Sequence, residues 1–318
     1  MKFLPGNHAN QAVIRPDTFD APIEVTGLSA EVLAGQFHGA ASARAYWQPG
    51  LQLAAGLAGQ AESPDSAMHE QNLDDGRAML RSGHPGTVIV EADHRLSEEL
   101  LQPQSLYLLL AQQWARAGLM LVHGAVFEFE GHGILALGDR GAGKSVLTMA
   151  ALAAGAKVVS DDWVMVGTDA DGTVRAERLR EFLMLRHGLA CDQLLSALPD
   201  LQTAELRSRP KSVVRMEDQP AQLHAHFTNT CKIDRFWLLQ RPRAGRISHS
   251  ERTPASAANA LAAIVRATMP LLFSRRFEHE AGRLRATAGR LATQIGASHL
   301  QTGVDILRDP AGSLRAML

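Results

Sequence analysis

Cysteine is scarce in this sequence of 318 residues, in which only Cys191 and Cys231 occur. Because the two are far apart and form no C-x-x-C pair, the sequence argues against a disulfide framework and against a cysteine zinc site. Long apolar runs are also lacking: no segment approaches the roughly 18 apolar residues of a membrane span, and the first residues have no signal-peptide core. These absences predict a cytoplasmic protein that does not insert into a membrane.

An excess of charge of one sign is missing as well. The 32 basic and 33 acidic side chains leave a formal net charge of −1, so no overall field would draw the protein to nucleic acid or to anionic lipid. The composition that is present, 46% hydrophobic and 20% charged residues, is that of an ordinary globular protein. We therefore expect a folded chain whose partners include neither nucleic acid nor a membrane.

The apolar pattern divides the sequence unevenly. Up to about residue 85 the chain is rich in Ala, Gly and Pro and only weakly periodic, apart from a short extended stretch at residues 22–25. Residues 86–92 favour a strand, and residues 105–117 favour a helix that Gly118 ends. We predict a smaller N-terminal α+β portion in residues 1–100 and a main α/β domain in residues 101–318.

The middle of the chain predicts a strand pair that leads into a strand, loop, helix and strand. The predicted elements are a strand at residues 119–129, a turn at 130–133, a strand at 134–137, a loop at 138–145, a helix at 145–154 and a strand at 157–160. Further predictions are strands at 163–166, from Val174 and at 235–240, a turn at 169–172, and helices at 255–268 and 277–295. Alternating strands and helices are typical of an α/β fold.

The predicted loop has the G-x-x-x-x-G-K-S pattern of a phosphate-binding (Walker A, or P-loop) motif, between a strand and a helix as that motif requires. Its glycines allow backbone amides to face phosphate oxygens, its lysine reaches the β- and γ-phosphates, and its serine hydroxyl can ligate Mg²⁺. The chain has only five lysines against 27 arginines, so a lysine at the motif position is less easily attributed to chance. The predicted ATP-binding residues are Gly138, Asp139, Arg140, Gly141, Ala142, Gly143, Lys144, Ser145 and Val146.

Two consecutive carboxylates, Asp161 and Asp162, follow the predicted strand at residues 157–160. They are expected at the carboxyl edge of that strand, the edge from which the loop also emerges. In phosphoryl transfer one carboxylate can accept the proton of the attacking hydroxyl while its neighbour ligates Mg²⁺. Aspartate is also common in turns and helix caps, which is the alternative interpretation of this pair.

The residues His123-Gly124, the loop at 138–145, Gly155 and the pair Asp161-Asp162 occur in the order and at the spacing seen in one known family. Residues 123–162 resemble the HPr kinase/phosphorylase family and the related bacterial kinases, whose nucleotide-binding core is similar to that of phosphoenolpyruvate carboxykinase. A later E-x-R-G stretch of that family is similar to residues 184–188 here, which keep Arg186 but lack the glutamate.

This resemblance implies a P-loop kinase core that uses ATP and Mg²⁺ to phosphorylate a Ser or Thr hydroxyl of a protein or peptide, and it implies self-association into a homo-oligomer. By the same resemblance Lys144 would hold the phosphates, His123 would lie near the γ-phosphate and Arg186 would contact phosphate or substrate. The aspartate pair would supply the general base, with Ser145 and Asp162 as the predicted metal ligands.

Two other functions are compatible with the same residues. A small-molecule kinase of the shikimate-kinase type has a loop and aspartates at comparable spacing, but over a hundred residues precede Gly138 here and no Arg-rich lid is evident. An ATP-binding regulatory module without catalysis would keep the loop and would not need both aspartates. The presence of both aspartates favours the kinase.

Overall fold

The computed structural model describes residues 1–7, 11–26, 29–31, 33–34, 68–73, 76–82, 87–92, 103–186, 188–205, 211–241, 247–273 and 278–318. The chain divides into two units, one formed by Met1–Leu119 with Leu271–Arg283 and the other by Met120–Pro270 with Leu284–Leu318. Both contain strands and helices, so the chain is a mixed α/β protein. The predicted division into residues 1–100 and 101–318 stays a prediction.

The described part of the first unit contains a six-stranded sheet and a long helix. Its elements are β1 (Lys2–Pro5), β2 (Gln11–Arg15), β3 (Ile23–Thr26), β4 (Met68–Leu73), β5 (Gly76–Ser82), β6 (Thr87–Ala92) and α1 (Pro103–Arg116). The strand order is β1-β2-β3-β6-β5-β4, in which only the β3–β6 pair is parallel. Buried side chains alternate along β2 and β3, as expected of strands with one face on a core. The strand predicted at residues 86–92 and the helix predicted at 105–117 are confirmed as β6 and α1.

The second unit contains most of the remaining elements. Its strands are β7 (Met120–Phe129), β8 (His132–Gly138), β9 (Lys157–Ser160), β10 (Trp163–Thr168), β11 (Val174–Arg178), β12 (Phe182–Arg186), β13 (Ala204–Glu205), β14 (Lys211–Arg215), β15 (Thr230–Lys232), β16 (Arg235–Gln240), β17 (Ser248–Arg252) and β18 (Gly296–Gln301). The helices are α2 (Lys144–Ala153), α3 (Leu189–Ser196), α4 (Ala221–His224), α5 (Pro254–Thr268), α6 (Glu278–Gln294), which begins in the first unit, α7 (Asp305–Arg308) and α8 (Pro310–Arg315). Among the described residues, no helix is both long enough and apolar enough to cross a membrane.

A nine-stranded sheet forms the centre of the second unit as far as it is described. Its order is β15-β11-β10-β7-β8-β16-β18-β17, with β9 also paired to β7. The strands β8, β16 and β18 are parallel to one another, whereas the other pairs are antiparallel. The strands β12, β14 and β13 form a separate small sheet. Helix α2 is rich in Ala, Leu and Met, and its buried residues join the same apolar core as Phe127 and Trp237 of the central sheet.

The hairpin between β7 and β8 turns in two residues, whereas a four-residue turn at 130–133 was expected. Glu130 and Gly131 have φ angles of 49° and 81°, so both lie in the left-handed region. Two consecutive residues with positive φ make the tight turn whose twist matches that of the flanking strands. Phe129 therefore pairs directly with His132, and β8 begins two residues earlier than predicted.

The strands β9 and β10 lie along the same edge of β7, one after the other. Ser160 pairs with Val126, and Trp163 pairs with His123. The residues between them, Asp161 and Asp162, occupy the gap between the two strands, and the amide of Gly124 donates to the Asp162 carbonyl oxygen at 2.7 Å. The two carboxylates are therefore held by the central sheet rather than by a surface turn.

Substituting Gly133 by alanine is expected to lower the stability of the second unit strongly. A Cβ atom at this position in β8 would lie 1.5 Å from the carbonyl oxygen of Lys232, so backbone has to move. Such overpacking costs roughly 3 kcal/mol. In the matched control, Gly289→Ala in α6, the new methyl group meets nothing within 4 Å. The control should gain about 0.5–1 kcal/mol. Equal unfolding midpoints in urea for both variants would contradict this packing.

Candidate functional site

A glycine-rich loop, residues 138–145, connects the end of β8 to the start of α2. Gly141 and Gly143 have φ angles of 85° and 99°, which favour glycine. Gly138 has no room for a side chain, because a Cβ atom there would lie 2.8 Å from the carbonyl oxygen of Leu239 on β16. The loop closes on itself through a hydrogen bond of 3.1 Å from the Ala142 amide to the Asp139 carbonyl. Backbone conformation therefore explains Gly141 and Gly143, and close packing explains Gly138.

The first residue of α2, Lys144, turns its side chain back over this loop. Its Nζ donates to the carbonyl oxygens of Gly138 and Asp139 at 2.5 and 3.2 Å, and the residue is 8% exposed. Burial lowers the pKa of the Lys144 ammonium below its usual value. The carboxylates that raise this pKa in the opposite direction belong to Asp162, Asp139 and Asp161. An anion bound at the loop would offset the cost of removing the Lys144 ammonium from water.

The next residue of α2, Ser145, faces Asp161. Its Oγ lies 3.5 Å from Oδ2 of Asp161, and the other carboxylate oxygen, Oδ1, accepts a hydrogen bond of 3.1 Å from the Met184 amide on β12. Asp161 is 4% exposed. The fixed carboxylate therefore presents one oxygen to the start of α2, beside the glycine-rich loop.

Asp162 belongs to a different set of contacts. Its Oδ1 lies 3.0 Å from Nε2 of His123, and its Oδ2 accepts a hydrogen bond of 3.0 Å from Nη1 of Arg180. The His123 ring packs at a tilt against Trp163, with 5.6 Å between ring centroids. The two neighbouring aspartates thus serve two sides of one site: Asp161 contacts the start of α2, and Asp162 contacts His123.

Most of the predicted site residues lie in this cluster or in the loop beside it. Lys144, Ser145, Asp161, Asp162 and His123 are joined by the contacts described above. Asp139, Arg140 and Gly141 are exposed, Ala142 is buried, and Val146 is half-buried in the first turn of α2. Arg186 ends β12, and its side chain lies outside the part of the chain that the structure describes, so its role stays a prediction. Ser145 contacts Asp161 rather than Asp162, and the predicted metal pair of Ser145 and Asp162 stays a prediction as well.

Two residues that contribute to the site were not predicted from the sequence. Arg180 lies in the short connection between β11 and β12, where no motif distinguishes it from the neighbouring arginines. Met184 acts through its backbone amide, and a backbone donor leaves no mark in a sequence. Burial raises the pKa of the Cys191 thiol to about 11 and that of the Cys231 thiol to about 12, which disfavours the reactive thiolate form of both.

No family model matches the sequence, and no curated protein matches it either. Among solved structures, the HPr(Ser) kinase/phosphatase from Coxiella burnetii is similar to this chain, with a TM-score of 0.34 and 10% sequence identity. The similarity covers 62% of this chain and 97% of that one. A likeness at this level carries no conclusion about activity, so the family resemblance of residues 123–162 stays a prediction.

Proposed function

We propose that this chain binds ATP together with Mg²⁺ at the glycine-rich loop and transfers the γ-phosphate to a hydroxyl group. The observation that carries the proposal is the 3.5 Å contact between Ser145 Oγ and Asp161 Oδ2 at the start of α2, one residue after the buried Lys144. A hydroxyl, a carboxylate and an ammonium group at one helix N-terminus are the groups that phosphoryl transfer needs around a nucleotide.

The loop and α2 supply the anion-binding part. The N-terminus of a helix carries free amide groups and a partial positive charge, which favour phosphate. No acidic residue lies in the first turn of α2 to cancel that charge. The Lys144 ammonium adds a full positive charge from a position where water screens it little.

The oxygen atoms of Ser145 and Asp161 fit Mg²⁺ in number and kind. Among the described residues, no group of three or more His, Cys, Asp or Glu side chains is arranged to hold a metal ion. Mg²⁺ in nucleotide sites typically takes one or two protein oxygens and completes its shell with phosphates and water. Bound there, it would neutralise negative charge on the transferring phosphate.

His123 and Asp162 are the residues that would face the acceptor hydroxyl. His123 is the more exposed of the two, since its side chain is 29% exposed against 5% for Asp162. With Nε2 against the Asp162 carboxylate, the atom left to accept a proton is Nδ1. The hydroxyl proton passes to Nδ1 while the hydroxyl oxygen bonds to the γ-phosphorus. The bond from that phosphorus to the β,γ-bridging oxygen breaks, and ADP leaves.

We assign the acceptor to a Ser or Thr hydroxyl of a protein or peptide, on the resemblance of residues 123–162. The strand order supports this choice over a shikimate-kinase type of enzyme. A strand carrying His123 that lay far from the loop would favour the small-molecule kinase, whereas β7 pairs directly with β8, the strand that leads into the loop. Self-association remains a prediction from the same resemblance.

The proposal is tested by ADP formation from ATP in the presence and absence of Mg²⁺, with water, serine-containing peptides or shikimate as the acceptor. We expect Mg²⁺-dependent turnover that peptides stimulate, and a loss of roughly 100-fold in Asp161→Asn. The matched control is Asp171→Asn, the same change in an exposed turn, which should leave the rate unaltered. Stimulation by shikimate alone would favour the small-molecule kinase, and ATP binding without any turnover would favour the regulatory module.

A further inference from the structure

Arg180 is the most deeply buried charged side chain next to the candidate site. It has no exposed surface, its Nη1 donates to Asp162 Oδ2 at 3.0 Å, and its guanidinium carbon lies 5.3 Å from the centre of the Phe182 ring. Removing a guanidinium group from water is costly, and a buried ion pair is a weak source of net stability. A gain in fold stability therefore does not explain why this arginine is buried.

Asp162 connects Arg180 to His123 of the candidate site. Exposure rises along the series, from 0% for the Arg180 side chain to 5% for Asp162 and 29% for His123. Asp162 gives Oδ2 to the arginine and Oδ1 to the histidine, so the position of one carboxylate oxygen determines the position of the other. The buried end of this series is fixed, and the open end is where an acceptor would approach.

We infer that Arg180 is a positioning residue for phosphoryl transfer: by holding Asp162, it fixes the orientation of His123 toward the acceptor hydroxyl. This inference rests on the function proposed above. Because the hydrogen bond of Arg180 is to Asp162, we expect its loss to lower the rate of transfer much more than the affinity for ATP.

A purely structural ion pair would behave differently. Removing it would lower stability and would reduce the apparent turnover number only through the loss of folded protein, with the Michaelis constant unchanged. A positioning residue changes the turnover number of the folded protein, and it does so only while Asp162 is present.

The test compares Arg180→Met and Arg180→Lys, each with and without Asp162→Asn, by steady-state ADP formation on folded protein. Arg180→Met should lower kcat by roughly 10–100-fold with KM for ATP within about twofold, because outer contacts of a site act at this scale. Arg180→Lys keeps the charge and should recover a large part of the rate. Adding Arg180→Met to Asp162→Asn should cause little further loss. The matched control is Arg178→Met, which should leave kcat unchanged, because the Arg178 guanidinium donates to Met216 Sδ at 2.7 Å and lies 3.8 Å from Glu181.

Three results would overturn the inference. Wild-type protein that forms no ADP removes the proposed function and this inference together. Wild-type turnover with an unchanged kcat in folded Arg180→Met, or in Arg180→Gln if the methionine variant does not fold, removes the positioning role alone. A full additional loss in the Asp162→Asn background would also remove it, because Arg180 would then act by another route.

Discussion

Replacing Asp162 by asparagine should lower the rate of phosphate transfer by roughly 10²–10⁴-fold, the usual contribution of general acid–base catalysis. In the proposed reaction His123 Nε2 donates its hydrogen to the carboxylate oxygen 3.0 Å away, which leaves Nδ1 to take the proton of the acceptor hydroxyl. An amide in the same place presents a donor either to His123 or to Arg180 and disturbs one of the two contacts. ATP affinity should change less than the rate, because the Asp162 carboxylate oxygens contact His123 and Arg180, whereas Lys144 is influenced by the Asp162 charge.

Single-turnover ADP formation and ATP titration on the same preparation separate these two effects. Asp162→Asn also removes the negative charge that the buried Arg180 contacts, so thermal unfolding has to be measured alongside the kinetics. Asp171→Asn provides the matched control. A folded Asp162→Asn protein that transfers phosphate at the wild-type rate would exclude the His123–Asp162 pair from the chemistry.

Replacing Lys144 by methionine should weaken ATP binding by roughly 100-fold or more, because a buried charge that faces phosphate is lost. Stability should not fall with it. Burial holds the pKa of the Lys144 ammonium below its usual value, so folding disfavours the charged form that methionine removes. The matched control is Lys157→Met on β9, whose side chain is 59% exposed and which should change neither property.

The difference in unfolding free energy between Lys144→Met and wild type depends on pH with a definite sign. A lysine whose pKa is lower in the folded than in the unfolded chain binds fewer protons when folded, so the unfolding free energy rises with pH between the two values. The advantage of Lys144→Met over wild type should therefore shrink as pH rises through the lowered folded-state pKa toward the unfolded value of 10.5. Urea unfolding at several pH values measures this, and an advantage that grows with pH would contradict the assignment.

The sequence predicted the elements around the loop because their signals are local. Helix α2 was expected at residues 145–154 and is found at Lys144–Ala153, and the strand expected at 157–160 is β9. By contrast, β18 was not predicted. Its sequence Gly-Ala-Ser-His-Leu-Gln has no β-branched residue, and its place beside β16 comes from tertiary pairing.

The division of labour between the two aspartates was beyond sequence reasoning for a related reason. Ser160 pairs with Val126 and Val158 with Phe127, so Val159 is an extra residue in β9. Such a bulge changes the face to which the following side chains point, and the sequence carries no clear sign of it. Which carboxylate meets Ser145 and which meets His123 thus depends on one irregular pairing with β7.

The most direct test of the central claim is a calorimetric titration of the wild-type protein with ATP, with and without Mg²⁺. We expect saturable binding at one site per chain that Mg²⁺ strengthens and that Asp161→Asn makes insensitive to Mg²⁺. The absence of any heat of binding from folded wild-type protein, with Mg²⁺ present, would contradict nucleotide binding at the glycine-rich loop and every step proposed from it.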